Sequence, residues 1–127
     1  MYIDHTTLRT SELEKTKEFL IRVFDLQPGE RPAVIAANIP GYWLYYQDKP
    51  IIHLIRSSFF HKMAVDNSSE AIDHTAFFMK DFEAFKLRLT ALKIHFSLMD
   101  LPDIGERRIF LRTPTGILLE TVFRETA

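Results

Sequence analysis

Ile3-Asp4-His5-Thr6 recurs as Ile72-Asp73-His74-Thr75. The two histidines are 69 positions apart, slightly more than half of the 127 residues. A repeat at that spacing implies one structural module used twice, each copy opening on a strand that carries a histidine in the same local setting. The segments downstream of the two copies match in kind, which supports the duplication. Residues 2–9 (YIDHTTLR) are rich in β-branched and aromatic residues and read as a strand. Ser11 with Glu14 reads as a capping box, and Leu13, Lys17, Leu20, Ile21 and Phe24 then recur at helical period, so a helix is expected over about 12–25. Pro28-Gly29 ends it. Residues 31–37 (RPAVIAA), 41–47 (GYWLYYQ) and 51–57 (IIHLIRS) read as three strands, with a turn at Asp48-Lys49-Pro50.

The second copy keeps the same order. A strand is expected over 71–79 (AIDHTAFFM). Asp81 reads as the N-cap of a helix over about 82–93, with Phe82, Phe85, Leu89 and Leu92 as its buried stripe. Strands are expected near 94–99, 107–112 and 117–123, with Pro114-Thr115-Gly116 turning between the last two. The expected architecture is α+β: a βαβββ module over 1–57, a connector over 58–70 that becomes polar at Asp66-Asn67-Ser68-Ser69, and a second βαβββ module over 71–127. Each small sheet alone would leave one face uncovered. The modules are therefore expected to bury those faces against helices and against each other or a partner, in a cupped mixed sheet.

Composition narrows the chemistry. Hydrophobic residues make up 46%, with eleven Phe, enough for a real core. The net charge of −1 argues against nucleic acid or an anionic membrane surface as partner. There is no cysteine, so a metal would have to be held by histidine and carboxylate. No basic start with an apolar run suggests a signal peptide, and no run approaches a membrane span; a cytoplasmic protein is expected.

Strand alternation then selects site residues. His5 shares a face with Thr7 and Arg9, and His74 with Ala76 and Phe78. Thr75, Phe77 and Met79 form the more apolar set, suited to packing under a helix, so His74, and by the repeat His5, should point the other way. The closing strands add His53, between Ile52 and Leu54, and Glu120, between Leu119 and Thr121, at offsets of 48 and 46 from the opening histidines. A polar group centred in an apolar strand is costly unless paired or coordinated. Three imidazoles and a carboxylate at quasi-equivalent places suit a divalent metal, Fe, Mn, Ni, Co or Zn, with positions open to substrate. His5, His53, His74 and Glu120 are the candidate ligands. His61 falls in the connector and His95 has no counterpart in the repeat; both read as surface residues. Asp4 and Asp73 lie opposite their histidines and read as structural, bonded to nearby backbone. Tyr42, Tyr46 and Trp43 could line the site, Trp43 lying on the other face from the two tyrosines, or serve as core or interface aromatics. Arg9, on the face of His5, could meet an anionic substrate, while Arg107 and Arg108 cannot both face inward and are expected to face water.

The doubled βαβββ order, the two Ile-Asp-His-Thr openings and the closing Thr113-Pro114-Thr115-Gly116-Ile117-Leu118-Leu119-Glu120 together resemble the vicinal oxygen chelate superfamily. That superfamily includes glyoxalase I, methylmalonyl-CoA epimerase, extradiol dioxygenases, fosfomycin-modifying transferases and bleomycin-binding proteins. The closing segment is similar to the family's Asp-Pro-x-Gly-x-x-x-Glu, with Thr113 in place of Asp. The resemblance implies metal ligands at His5, His53, His74 and Glu120, and a small-molecule substrate whose adjacent oxygens chelate the metal. It also implies catalytic roles for Glu120 and His53, and a homodimer. His53 stands where glyoxalase I and the epimerases carry a glutamate, which leaves Glu120 as ligand and base. His5, His74 and Glu120 match the two-His-one-Glu set of ring-cleaving dioxygenases, which typically carry four modules. Isomerase or lyase chemistry, ring cleavage, and a metal-free binding protein of the bleomycin-binding type are all compatible with the resemblance.

Overall fold

The computed structural model describes residues 1–57 and 70–125. Connector residues 58–69, His61 among them, lie outside the described residues. The chain forms two compact units, His5–Asp73 and His74–Ala127 together with Met1–Asp4.

The first unit holds the sheet order β2-β3-β4-β1, made of β1 (Tyr2–Thr10), β2 (Gln27–Gly29), β3 (Gly41–Tyr46) and β4 (Lys49–Arg56). Strand β1 runs parallel to β4, with Thr7 opposite His53, and β3 runs antiparallel to β4, with Trp43 opposite His53. Helix α1 (Leu13–Phe24) covers one face. Leu13 and Leu20 pack there with Leu26, Leu44 and Leu54, and Leu8, Ile21, Tyr42 and Ile52 close round them. Lys17 belongs to the stripe as its spacing suggests, its ammonium 4.5 Å from the centroid of the Tyr42 ring. Phe24 does not: it is 57% exposed, at the helix end where Asp25 turns into the left-handed region at φ 56°.

Three expectations change here. The capping box does not form: Glu12 is the N-cap and makes no side-chain cap bond, while Ser11 donates from both its backbone N and its hydroxyl to Glu70 Oε2. Residues 31–37 are not a strand; Ala33–Asn38 form a short helix, α2, in which Ile35 is buried and Val34 exposed. Pro32 precedes a run rich in Ala, the best helix former, and an apolar run this short has no decisive period. The third strand of the module is instead the three-residue β2. Finally, the β3–β4 turn lies at Gln47-Asp48, both at positive φ (47° and 67°), as a tight hairpin requires, and Pro50 sits inside β4.

The second unit repeats the plan, with sheet order β5-β8-β7-β6 built from β5 (Ala71–Phe78), β6 (Phe96–Leu101), β7 (Glu106–Arg112) and β8 (Leu118–Arg124). Strand β5 is parallel to β8, with Ala76 opposite Glu120, and β7 is antiparallel to β8, with Phe110 opposite Glu120. Helix α3 (Phe82–Ala91) begins at Asp81, whose Oδ1 accepts from Ala84 N at 3.1 Å. Its Leu89 packs on Ile109 and Phe123, with Met79, Phe82, Phe85 and Leu111 around them. Leu92, expected in the stripe, is 62% exposed because the helix has ended and Lys93 turns at φ 59°. Among the described residues, no helix is long and apolar enough to cross a membrane.

Two substitutions test these elements. A Cβ at Gly41 would fall 1.9 Å from the Leu54 carbonyl oxygen, a backbone atom that cannot swing away. Gly41→Ala should therefore lower unfolding stability by about 1–3 kcal/mol in urea denaturation. Asp81→Ala removes the α3 cap and should cost about 1 kcal/mol in the same assay, with the far-UV helix signal otherwise retained.

Candidate metal centre

In each unit the helix takes one set of alternating side chains, and the polar set falls on the other face. In the first unit Leu8, Leu44, Ile52 and Leu54 go to the α1 side. His5, Thr7, Arg9, Trp43 and His53 occupy the opposite set, and all five are buried. His5 and His53 stack with ring centroids 3.6 Å apart and planes 19° apart, and His53 stacks on Trp43 at 4.0 Å and 10°. The two predicted histidines of this half are thus side by side, with His53 held between His5 and the indole. Trp43 is the aromatic that accompanies them, because it sits directly across from His53 in the β3–β4 ladder. The tyrosines do not. Tyr42 faces α1, where its hydroxyl donates to Glu14; that bond holds the Glu14 carboxyl below its ordinary range and pushes the Tyr42 phenol up. Tyr46 is half-exposed at the end of β3.

In the second unit Ile109, Leu111 and Phe123 go to the α3 side, and Glu106, Arg108, Phe110 and Glu120 fall on the other. His74 Nε2 lies 2.9 Å from Glu120 Oε1. Glu120 is 1% exposed, and its second oxygen, Oε2, accepts from Arg108 Nη1 at 2.9 Å. Arg108 Nη2 donates to Glu106 Oε1 at 2.6 Å. Glu106 Oε2 accepts from Arg124 Nε at 2.8 Å, and Arg124 Nη2 reaches Asp4 Oδ1 at 2.7 Å. A chain of alternating charge therefore runs from His74 and Glu120 to the half-exposed Arg124. Phe110 meets the His74 ring edge-on at 6.1 Å. With Leu118, Phe96, Leu111 and Pro114 it lines a groove of about 610 Å³.

These contacts correct several side-chain expectations. Arg108 is buried at 3% exposure rather than facing water, whereas Arg107 lies on the helix side with its guanidinium 3.7 Å over the Phe82 ring. Arg9 is buried and pairs with Asp73 at 2.6 Å. Asp4 and Asp73, expected to bond nearby backbone, each meet an arginine side chain: Arg124 for Asp4, Arg9 for Asp73. His95 is exposed and precedes β6, as its lack of a counterpart suggests.

The donor chemistry fits a divalent metal. His74 Nε2 and Glu120 Oε1 are hydrogen-bonded at 2.9 Å, close enough together for an ion to take the place of the shared proton. Imidazole nitrogen and carboxylate oxygen are also the ligand types that Fe, Mn, Co, Ni and Zn accept in the absence of thiolate.

A family model described as the Glyoxalase/Bleomycin resistance protein/Dioxygenase superfamily matches residues 2–121. The chain belongs to this superfamily. Solved structures share the fold of this superfamily member. Methylmalonyl-CoA epimerase from Mycobacterium tuberculosis is 19% identical at a TM-score of 0.71, over 98% of this chain and 89% of that one. A Streptomyces coelicolor methylmalonyl-CoA epimerase variant in complex with 2-nitronate-propionyl-CoA is 20% identical at 0.69, over 99% of each chain. The 2,3-dioxygenase LapB from Pseudomonas sp. KL28 is 16% identical at 0.72, over 99% of this chain but 41% of that one. No curated protein matches the sequence.

Proposed function

We propose that this superfamily member is a metal-dependent enzyme acting on a small substrate with vicinal oxygens, in which His5, His74 and Glu120 hold the ion. The observation that carries the reading is the His74–Glu120 pair: a carboxylate 1% exposed, with an imidazole nitrogen 2.9 Å from one oxygen. His5, like His74 and Glu120, carries a side chain of a type that ligates such metals, and it is buried in its own unit. Two histidines and one carboxylate leave coordination positions for a bidentate substrate. When bound, the ion supplies Lewis-acid polarisation of the substrate's adjacent oxygens.

The chain's own residues divide the remaining work. Both oxygens of Glu120 are engaged, one by His74 and one by Arg108, which suits a ligand better than a mobile base. His53 then serves as fourth ligand or as the acid–base group, its ring plane fixed between His5 and Trp43. The groove beside Phe110 and Leu118 takes the apolar part of the substrate. The same donor set serves proton transfer of the isomerase or epimerase kind and ring cleavage alike, and the fold is shared with epimerases and with a dioxygenase.

The reading is tested with iron-loaded protein and catechol. A new charge-transfer absorbance under argon, lost in His74→Ala, is expected from a site that accepts two adjacent oxygens. Loss of that band on admitting air, with a ring-cleaved product, would move the reaction to the dioxygenase class. Catechol binding with no such absorbance and no dependence on metal would replace the enzyme reading with that of a metal-free binding protein.

A further inference from the structure

Glu120 offers a metal two oxygens, and the structure shows what restrains one of them. Arg108 Nη1 donates to Oε2 at 2.9 Å, with Arg108 at 3% and Glu120 at 1% exposure. A guanidinium that donates to a carboxylate oxygen in so dry a place is not readily exchanged for water. Arg108 is anchored in turn. Glu106, two residues before it on the same strand face, binds its Nη2 at 2.6 Å, and Glu106 is itself clamped by Arg124 at 2.8 Å. The planar guanidinium is thus gripped by two carboxylates, Glu106 and Glu120, that it cannot follow far if either shifts.

We propose that Arg108 is a positioning residue that makes Glu120 a one-oxygen ligand and so keeps a coordination position open for the substrate. This rests on the metal-site reading above. A carboxylate free at both oxygens can close on an ion in bidentate fashion, taking a second position. Arg108 holds Oε2 in a hydrogen bond and leaves Oε1, on the His74 side, to face the ion. Its positive charge also offsets that of the carboxylate, so the metal retains more of its pull on an anionic substrate oxygen. Outer partners of metal ligands commonly act in this way, orienting the ligand and tuning the ion.

The test compares cobalt(II)-loaded wild-type protein with Arg108→Gln and Arg108→Lys, with acetohydroxamate as a bidentate oxygen probe. In Arg108→Gln, cobalt uptake should remain stoichiometric while the visible d–d absorption weakens toward that of a higher-coordinate ion. Acetohydroxamate should bind about 10- to 100-fold more weakly. Arg108→Lys, which keeps a charge able to reach one carboxylate, should recover part of both. An Arg108→Gln protein that is folded and has the wild-type cobalt spectrum and probe affinity would overturn the arginine's role alone. Wild-type protein that takes up no cobalt would overturn the metal reading and this proposal with it. Infrared difference spectra of wild-type protein, metal-loaded minus metal-free, decide the matter even if the variants do not fold. Widely split carboxylate stretches of a one-oxygen ligand are expected, and the narrow splitting of a bidentate carboxylate would refute the proposal.

Discussion

Glu106→Ala should destabilise the protein by about 3–5 kcal/mol, although Glu106 is not among the proposed ligands. Glu106 is 6% exposed and accepts from two arginines, Arg108 at 2.6 Å and Arg124 at 2.8 Å. Its removal leaves the buried Arg108 with one carboxylate partner fewer, and a buried charge that loses its partner costs far more than an exposed pair contributes. A loss of that size is a large part of the roughly 5–15 kcal/mol that typically separates folded from unfolded states. Thermal denaturation should show a fall in Tm on the order of 10 °C. Arg124→Ala should cost clearly less, because Arg124 is 41% exposed and water can take over its role. A double-mutant cycle on Glu106 and Arg108 should return a coupling of at least about 1 kcal/mol, since the two share one buried network. Equal, small losses for Glu106→Ala and Arg124→Ala would show that the charge chain does not hold the second sheet together.

The second large effect is on metal retention. His74→Ala should lower metal affinity by more than the roughly 10- to 100-fold that loss of an outer partner typically causes, because it removes a proposed ligand itself. The substitution deletes a ring that is only partly buried and leaves Glu120 with its arginine, so the fold should survive. Glu120→Ala should abolish metal retention too, but it also takes one of the two carboxylates from the buried Arg108, so a stability loss should accompany it. The two variants together separate ligand loss from collapse of the charge chain. Competition with a chelator of known affinity provides the measurement.

The parts of this architecture that repetition and alternation encode are legible in the sequence. The Ile-Asp-His-Thr repeat locates β1 and β5, and period-two alternation puts His5, His53, His74 and Glu120 on the faces that their helices leave. Alternation also holds the signal for Arg108: Glu106, Arg108 and Phe110 share a face of β7, and Phe110 lies opposite Glu120. The general preference of arginines for water conceals it, since the carboxylates that make burial tolerable come from elsewhere on β7 and from β8. Alternation separates Trp43 from Tyr42 and Tyr46, but does not say which of them joins the histidines. The place of Trp43 depends on pairing with His53 across the β3–β4 hairpin, and the Asp48-Lys49-Pro50 signal puts the turn too late, where Gln47-Asp48 makes it. The α2 segment is ambiguous because RPAVIAA is short and apolar, and only tertiary packing of Ile35 distinguishes helix from strand there.

The most direct measurement is the metal content of protein purified without chelator, followed by titration with Fe, Mn, Ni, Co and Zn. Stoichiometric divalent metal in the wild-type protein, lost in His5→Ala and in His74→Ala, is the result expected if the two opening histidines serve one ion with Glu120. A wild-type protein that is folded, carries no metal and takes none up on titration would contradict it.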